Sequence, residues 1–101
     1  MLKCLETLRD AADPEVRYSA AKTLAACNWH EHPEAVSGLL YAARNDKHAN
    51  MRVACIRSLA AMKASTPEVM TGLKPLTNDS DDWIRQEATR ALAYLQTCKN
   101  K

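Results

Sequence analysis

Phenylalanine is absent from this chain of 101 residues, and glycine is nearly so, with two residues. A phosphate-cradling loop needs several neighbouring residues without a Cβ, so that class of site is excluded. Gly38 and Gly72 stand alone and read as places where helices approach closely. Aromatic residues number five, and alanine and leucine carry much of the apolar content. Small side chains of that kind suit closely packed helices.

The four cysteines, Cys4, Cys27, Cys55 and Cys98, include no CxxC pair. A disulfide framework is not expected, and a reducing, cytoplasmic setting is. Met1 to Arg9 already reads as an amphipathic helix carrying Lys3, Glu6 and Arg9, so no signal peptide is expected there. No apolar run approaches the length of a membrane span, and no membrane association is expected. The formal net charge of +2 gives no mandate for nucleic acid or lipid surfaces. There is no serine in a nucleophile elbow, no HExxH and no paired-carboxylate motif, so the chain reads as non-enzymatic. No cofactor is expected either.

What is present is a repeat. Val16-Arg17 continues through Ala20 and Lys22 to Leu24-Ala25; Met51-Arg52 through Cys55 and Arg57 to Leu59-Ala60; Ile84-Arg85 through Ala88 and Arg90 to Leu92-Ala93. The starts lie 35 and 33 residues apart, a period that means stacked helical hairpins. Counting each of Val16, Met51 and Ile84 as offset 0, the residues at offsets 0, +4 and +8 are all apolar. That is one stripe of a helix facing a core. Cys55 lies on it, aligned with Ala20 and Ala88, and reads as a small buried apolar residue. These segments are the B helices.

A second repeated segment opens the A helices: Pro33-Glu34-Ala35 through Gly38-Leu39 matches Pro67-Glu68-Val69 through Gly72-Leu73. Proline at the first helical position loses no hydrogen bond, and Thr66 is a good cap before Pro67. Leu2, Leu5 and Leu8 form the apolar side of the first A helix, and Asp13-Pro14-Glu15 starts the first B helix. Pro75 falls inside the third A helix and is expected to kink it without ending it. The fold class is therefore all-α, an α-α superhelix of three antiparallel hairpins in one domain, 1–101, with repeats at about 1–28, 29–63 and 64–101. The apolar first helix, and Tyr94 and Leu95 at the far end, are compatible with a segment of a longer solenoid.

These residues resemble HEAT repeats, in the bacterial form also called phycobilisome-lyase HEAT-like repeats. Asp13-Pro14-Glu15-Val16-Arg17 and Asp81-Asp82-Trp83-Ile84-Arg85 carry the likeness, which covers nearly the whole chain. It departs at the ends of the B helices, where Ala25-Ala26, Ala60-Ala61 and Ala93-Tyr94 replace the usual Leu-Gly. The resemblance implies a scaffold whose B helices line a concave face and bind other macromolecules. It also implies a structural Asp–Arg ladder, here drawn from Asp13, Arg17, Asp46, Arg52, Asp79 and Arg85.

Candidate partner-binding residues follow from the B helices themselves. Lys22, Arg57 and Arg90 share offset +6, away from the core, and Tyr18, Val53, Ile56 and Gln86 lie on the same side. A cationic stripe with apolar neighbours points to a protein partner carrying acidic and apolar groups. One rival is a nucleic-acid-binding module using the basic stripe, against which the low net charge and the single aromatic Tyr18 weigh. Another is a lyase-like relative that handles a chromophore, for which no nucleophile or distinct pocket is evident. Cys27, His30 and His32 resemble half a zinc site in ligand type, but no second half follows. They read as linker residues without a metal, with Trp29 covering the junction between hairpins.

Overall fold

Local chemistry starts each helix. The structure, a computed structural model, describes residues 2–99, and the side chains of Leu2 and Lys99 lie outside that description. Among the described residues the order is α1 (Leu2–Asp10), α2 (Pro14–Ala25), α3 (Pro33–Asn45), α4 (Ala49–Ala61), α5 (Pro67–Leu73), a 3-10 helix (Lys74–Asn78) and α6 (Asp82–Lys99), with no strand. Pro14, Pro33 and Pro67 occupy the first turns of α2, α3 and α5. Asp13 caps α2 by accepting the Glu15 N–H at 2.9 Å. Thr66 caps α5 by accepting the Val69 N–H at 3.2 Å. Such caps contribute about 1 kcal/mol each.

The third A helix differs from expectation. Its α geometry ends at Leu73, two residues before Pro75, and the chain continues as the 3-10 helix. Pro75 has no N–H for the Thr71 carbonyl, and its ring crowds that carbonyl. Tightening to i→i+3 bonds resolves the crowding at less cost than a bent α-helix.

Helices α1, α3 and α5 pair with α2, α4 and α6 as three antiparallel hairpins in two layers. The Cα envelope, 34 × 33 × 16 Å, is a slab as thick as two packed helices. Leu24, Leu39, Leu59, Leu73, Ile84 and Leu95 are fully buried in one core. The terminal repeats modify the apolar stripe. Val16 is 44% exposed although Met51 and Ile84, at the same offset, are buried. Offset 0 therefore faces the preceding repeat, and α2 has none among the described residues. Leu92 is only partly buried, and Leu95 takes the deep position in α6.

Close approach explains both glycines. A Cβ on Gly72 would meet the two Cδ atoms of Leu40 at 2.7 and 2.8 Å, and one on Gly38 would meet Leu5 at 2.5 Å. Each glycine thus seats a leucine from the A helix before it. Two further details join the hairpins. Trp29, between α2 and α3, donates its indole N–H to the Met62 carbonyl at 2.8 Å, tying that link to the end of α4. Helix α4 then stops without glycine. Lys63 takes the left-handed conformation with φ 57°, Ala64 N–H reaches the Leu59 carbonyl at 3.2 Å, and Lys63 N–H reaches Ala60 at 2.9 Å. This is a Schellman stop built on lysine, sealed by the contact of two buried residues, Ala64 and Leu59.

Two outcomes test this packing. Leu59→Ala should cost roughly 2–5 kcal/mol in denaturant unfolding, because its cavity has neighbours on both sides; a melt like the parent's would refute the shared core. Lys63→Gly should stabilise by about 1 kcal/mol by relieving a conformation costly for any residue with a Cβ. A lower melting temperature for that variant would show that the lysine side chain matters more than its backbone.

Candidate functional site

Two polar systems organise the surface: a ladder at the hairpin turns and a charged face on the B helices. In the ladder, Asp46 uses Oδ1 to accept the His48 N–H at 2.9 Å, and Asp79 uses Oδ1 to accept the Asp81 N–H at 3.0 Å. That intraturn bond leaves the other carboxylate oxygen aimed along the array. Arg17 donates Nε–H to Asp46 Oδ2 at 2.9 Å, and Arg52 donates an Nη2 proton to Asp79 Oδ2 at 2.7 Å. Each arginine thus reaches the turn of the following repeat. Each also donates within its own hairpin: Arg17 through Nη1 to the carbonyls of Ala11 and Ala12, just past the end of α1, and Arg52 through Nε to that of Ala43 in the last turn of α3, while Arg17 Nη2 adds a second bond to Asp46 at 3.3 Å. One side chain satisfies helix-end carbonyls and crosses a repeat boundary.

Burial grades the rungs. The side chains of Arg17 and Asp46 are 6% exposed, and those of Arg52 and Asp79 are 17% exposed. Arg85 is 39% exposed; it bonds the Asp79 carbonyl and pairs with Asp82, not with a carboxylate of a following turn. Asp13 corrects the expected ladder. It accepts the Glu15 N–H as Asp46 and Asp79 accept theirs, but no arginine among the described residues reaches it. A preceding repeat would be needed to supply one.

The B-helix face is where sequence reasoning needs most revision. Val53 and Ile56, read as exposed partner contacts, are 2% and 0% exposed. Helix α4 is flanked by both α2 and α6, so the side that would face solvent on an isolated hairpin is covered on this one. Tyr18, Lys22, Arg57, Gln86 and Arg90 do lie exposed. Sequence reasoning also missed three residues of this face. Trp83 and Tyr94 are 40% and 45% exposed and replace Val53 and Ile56 as its apolar surface. Glu87 is buried at 7% exposure and accepts both Nε–H and an Nη2 proton of Arg57, at 2.9 and 3.0 Å. Arg90 approaches the same carboxylate at 3.6 Å. A signal existed: at that offset the other repeats carry Ser19 and Ala54, so a carboxylate there faces a neighbouring helix. The hydrogen bonds from Arg57, with the charge of Arg90 beside them, hold the Glu87 carboxyl below its ordinary range, and Glu87 in turn holds the Arg57 guanidinium above its own.

Two shallow grooves follow from this arrangement. One, about 420 Å³, runs between α2 and α4 past Tyr18, Lys22, Val53, Arg57 and Trp83. The other, about 370 Å³, lies between α4 and α6 over Ile56, Ala60 and Ala91, beside Arg57, Arg90 and Tyr94. Arg57 borders both. Lys22 sits 5.7 Å from the Tyr18 ring centroid, within cation–π range. A larger cleft of about 840 Å³ opens between α1 and α3. Four charges on its lining already pair with one another, Arg9 with Asp10 and Arg17 with Asp46, so it offers little to distinguish one ligand from another.

The cysteine and histidine cluster does not converge. His30 stacks on Trp29 with centroids 3.8 Å apart, His32 approaches Glu34, and the Cys27 thiol points to the Thr23 carbonyl. No group of three or more His, Cys, Asp or Glu among the described residues is placed to hold a metal ion. Burial, aided by Asp46, pushes the Cys55 thiol up to about 12, leaving it inert as a nucleophile. No described helix is long and apolar enough to cross a membrane.

The repeated hairpins and their ladder define a helical-repeat scaffold. Residues 2–93 match the family of HEAT repeats, and the chain belongs to that family. No curated protein and no solved structure matches it.

The ladder yields a prediction about its gradient. Arg17→Met, which strands Asp46 in a buried site, should cost about 3–5 kcal/mol, whereas Arg85→Met should cost under about 1 kcal/mol. Equal losses in urea unfolding would show that the ladder is uniform. Asp79 carries a pH signature. The Asp81 N–H and then Arg52 hold its carboxyl below the usual range. A depressed folded-state value adds stability above the unfolded value, and that stability is lost as pH falls through the folded one. Lowering the pH from about 7 to about 3 should therefore destabilise the parent more than Asp79→Asn.

Proposed function

We propose that this HEAT-repeat chain is a non-enzymatic scaffold that binds a protein partner on its B-helix face, taking an acidic segment that also carries apolar side chains. The observation that supports this reading is the coincidence, on one face, of exposed cations and exposed aromatics. Lys22, Arg57 and Arg90 alternate there with Tyr18, Trp83 and Tyr94 along two adjoining grooves. A face meant only for solvation has no use for three large exposed rings. Cations steer the encounter, while aromatic groups entering a pocket supply affinity. Gln86 lies at the edge of the same face.

A single-stranded nucleic acid is the second reading. Interleaved rings and cations favour it, since bases stack on aromatics while phosphates meet cations. The buried Glu87 carboxylate argues against it, because it neutralises one of the three cations where a phosphate backbone would run. Chromophore handling gains no support, since neither groove is enclosed and Cys55 is buried and protonated.

Quantitative capture from cell extract tests the face. Changing Lys22, Arg57 and Arg90 together to Glu is a poor test, because two new carboxylates would crowd the buried Glu87 and unfold α6. Lys22→Gln with Tyr18→Ala leaves that cluster intact. It should weaken a bound protein by about tenfold, or ~1.4 kcal/mol, with the melting temperature nearly unchanged. Glu34→Gln with Lys74→Gln, on the A helices, should change binding little. A partner that survives the first change and is lost with the second would place the working surface on the A helices. Salt-sensitive binding of a single-stranded oligonucleotide, lost with Lys22→Gln and Tyr18→Ala, would establish the second reading instead.

A further inference from the structure

The cations of the B-helix face are not equivalent. Lys22 lies over the Tyr18 ring and makes no ion pair among the described residues, whereas Arg57 and Arg90 share the buried carboxylate of Glu87. Glu87 is 8% exposed at its side chain, against 60% for Arg57 and 74% for Arg90. A carboxylate at that depth holds the guanidinium of Arg57 by two parallel bonds and fixes its plane. Arg57 spends Nε–H and one Nη2 proton on Glu87, so three of its five donors remain. Arg90 makes no hydrogen bond among the described residues, and its 3.6 Å approach to Glu87 keeps it beside Arg57. Beneath them lies the apolar floor of the α4–α6 groove, with Ile56, Ala60 and Ala91, and Tyr94 stands at its side.

Resting on the reading that the B-helix face binds a protein, we infer that Arg57, Glu87 and Arg90 form a preformed carboxylate site. It takes a single Asp or Glu side chain of the partner, while an adjacent apolar side chain of that partner settles on Ile56, Ala60 and Ala91. Charge decides the ligand. Two guanidinium groups and one carboxylate leave a net charge of +1 at the surface, which one carboxylate neutralises. A phosphate dianion would bring excess negative charge against Glu87, a buried group that cannot move into water. Glu87 is then a positioning residue: it touches no ligand and acts by orienting Arg57.

That role gives a test whose sign differs from simple charge counting. The protein labelled with nitrogen-15 and carbon-13 is titrated with N-acetyl-glutamyl-leucine amide, with its glutaminyl counterpart and with phenyl phosphate. The four site signals are the side-chain Nε–Hε of Arg57 and Arg90 and the methyls of Ala60 and Ala91, and the ring signals of Tyr18 and Trp83 report the rest of the face. The glutamyl probe should shift all four saturably and bind more tightly than either comparator. Removing Glu87 raises the net charge, so charge counting expects Glu87→Gln to bind the acidic probe more tightly. The carboxylate site requires weaker binding, by about threefold or more, because the orienting fork is lost. Arg57→Lys keeps the charge and loses the fork, so it should weaken the probe similarly, and it covers the case in which Glu87→Gln unfolds. Equal or tighter binding by Glu87→Gln, or preference for phenyl phosphate, overturns the inference. If the glutamyl probe shifts Tyr18 and Trp83 but neither arginine, the inference fails and the wider reading of the face stands. If no B-helix signal responds to it, both fail.

Discussion

The bond between an arginine of one repeat and the turn aspartate of the next is the constraint on which this array depends. A helical hairpin alone cannot bury its apolar face, so it must be set against a neighbour at one angle and one register. Apolar packing is poorly directional. Arg17 with Asp46 and Arg52 with Asp79 add direction, because each guanidinium is already fixed to backbone carbonyls of its own hairpin, at or just past the end of the A helix. Each aspartate is likewise fixed by an N–H of its own turn. The pair therefore joins two rigid bodies. The leucines seated on Gly38 and Gly72 complete the register on the opposite layer.

The same geometry carries the B-helix face. Holding α4 between α2 and α6 buries Val53 and Ile56 and converts them from contacts into groove floors. It also brings Arg57 of α4 over Glu87 of α6, a meeting that exists only because the two helices are set side by side. The ladder and the charged face are thus linked. A shift of register that broke Arg52 from Asp79 would also draw Arg57 away from Glu87.

Much of this was legible in the chain. The recurrence beginning at Val16, Met51 and Ile84 located the B helices, and Pro33 and Pro67 located the starts of two A helices. The limits of that reading have a common physical source. Periodicity tells which side of a helix is apolar but not which neighbour lies against it. Val16 and Met51 have the same place in the repeat, yet one is exposed and the other buried, since among the described residues α4 has a preceding B helix against it and α2 has none. Val53, Ile56 and Glu87 were misread or missed for the same reason: their surroundings are made by adjacent repeats. Pro75 is a different case. Its missing N–H was visible, but whether the chain bends or tightens depends on what the 3-10 helix packs against, and Leu76 is buried there.

The ladder has a polarity with a consequence for how such chains lengthen. The middle repeat contains both halves of the bond, Asp46 to receive from the repeat before it and Arg52 to give to the repeat after it. A tandem duplication of that segment would arrive with a matching aspartate and arginine already in register at both new junctions. No compensating change would be needed elsewhere. Growth by whole repeats is therefore a small genetic step for this architecture, while gain or loss of a few residues within a turn would break two rungs at once.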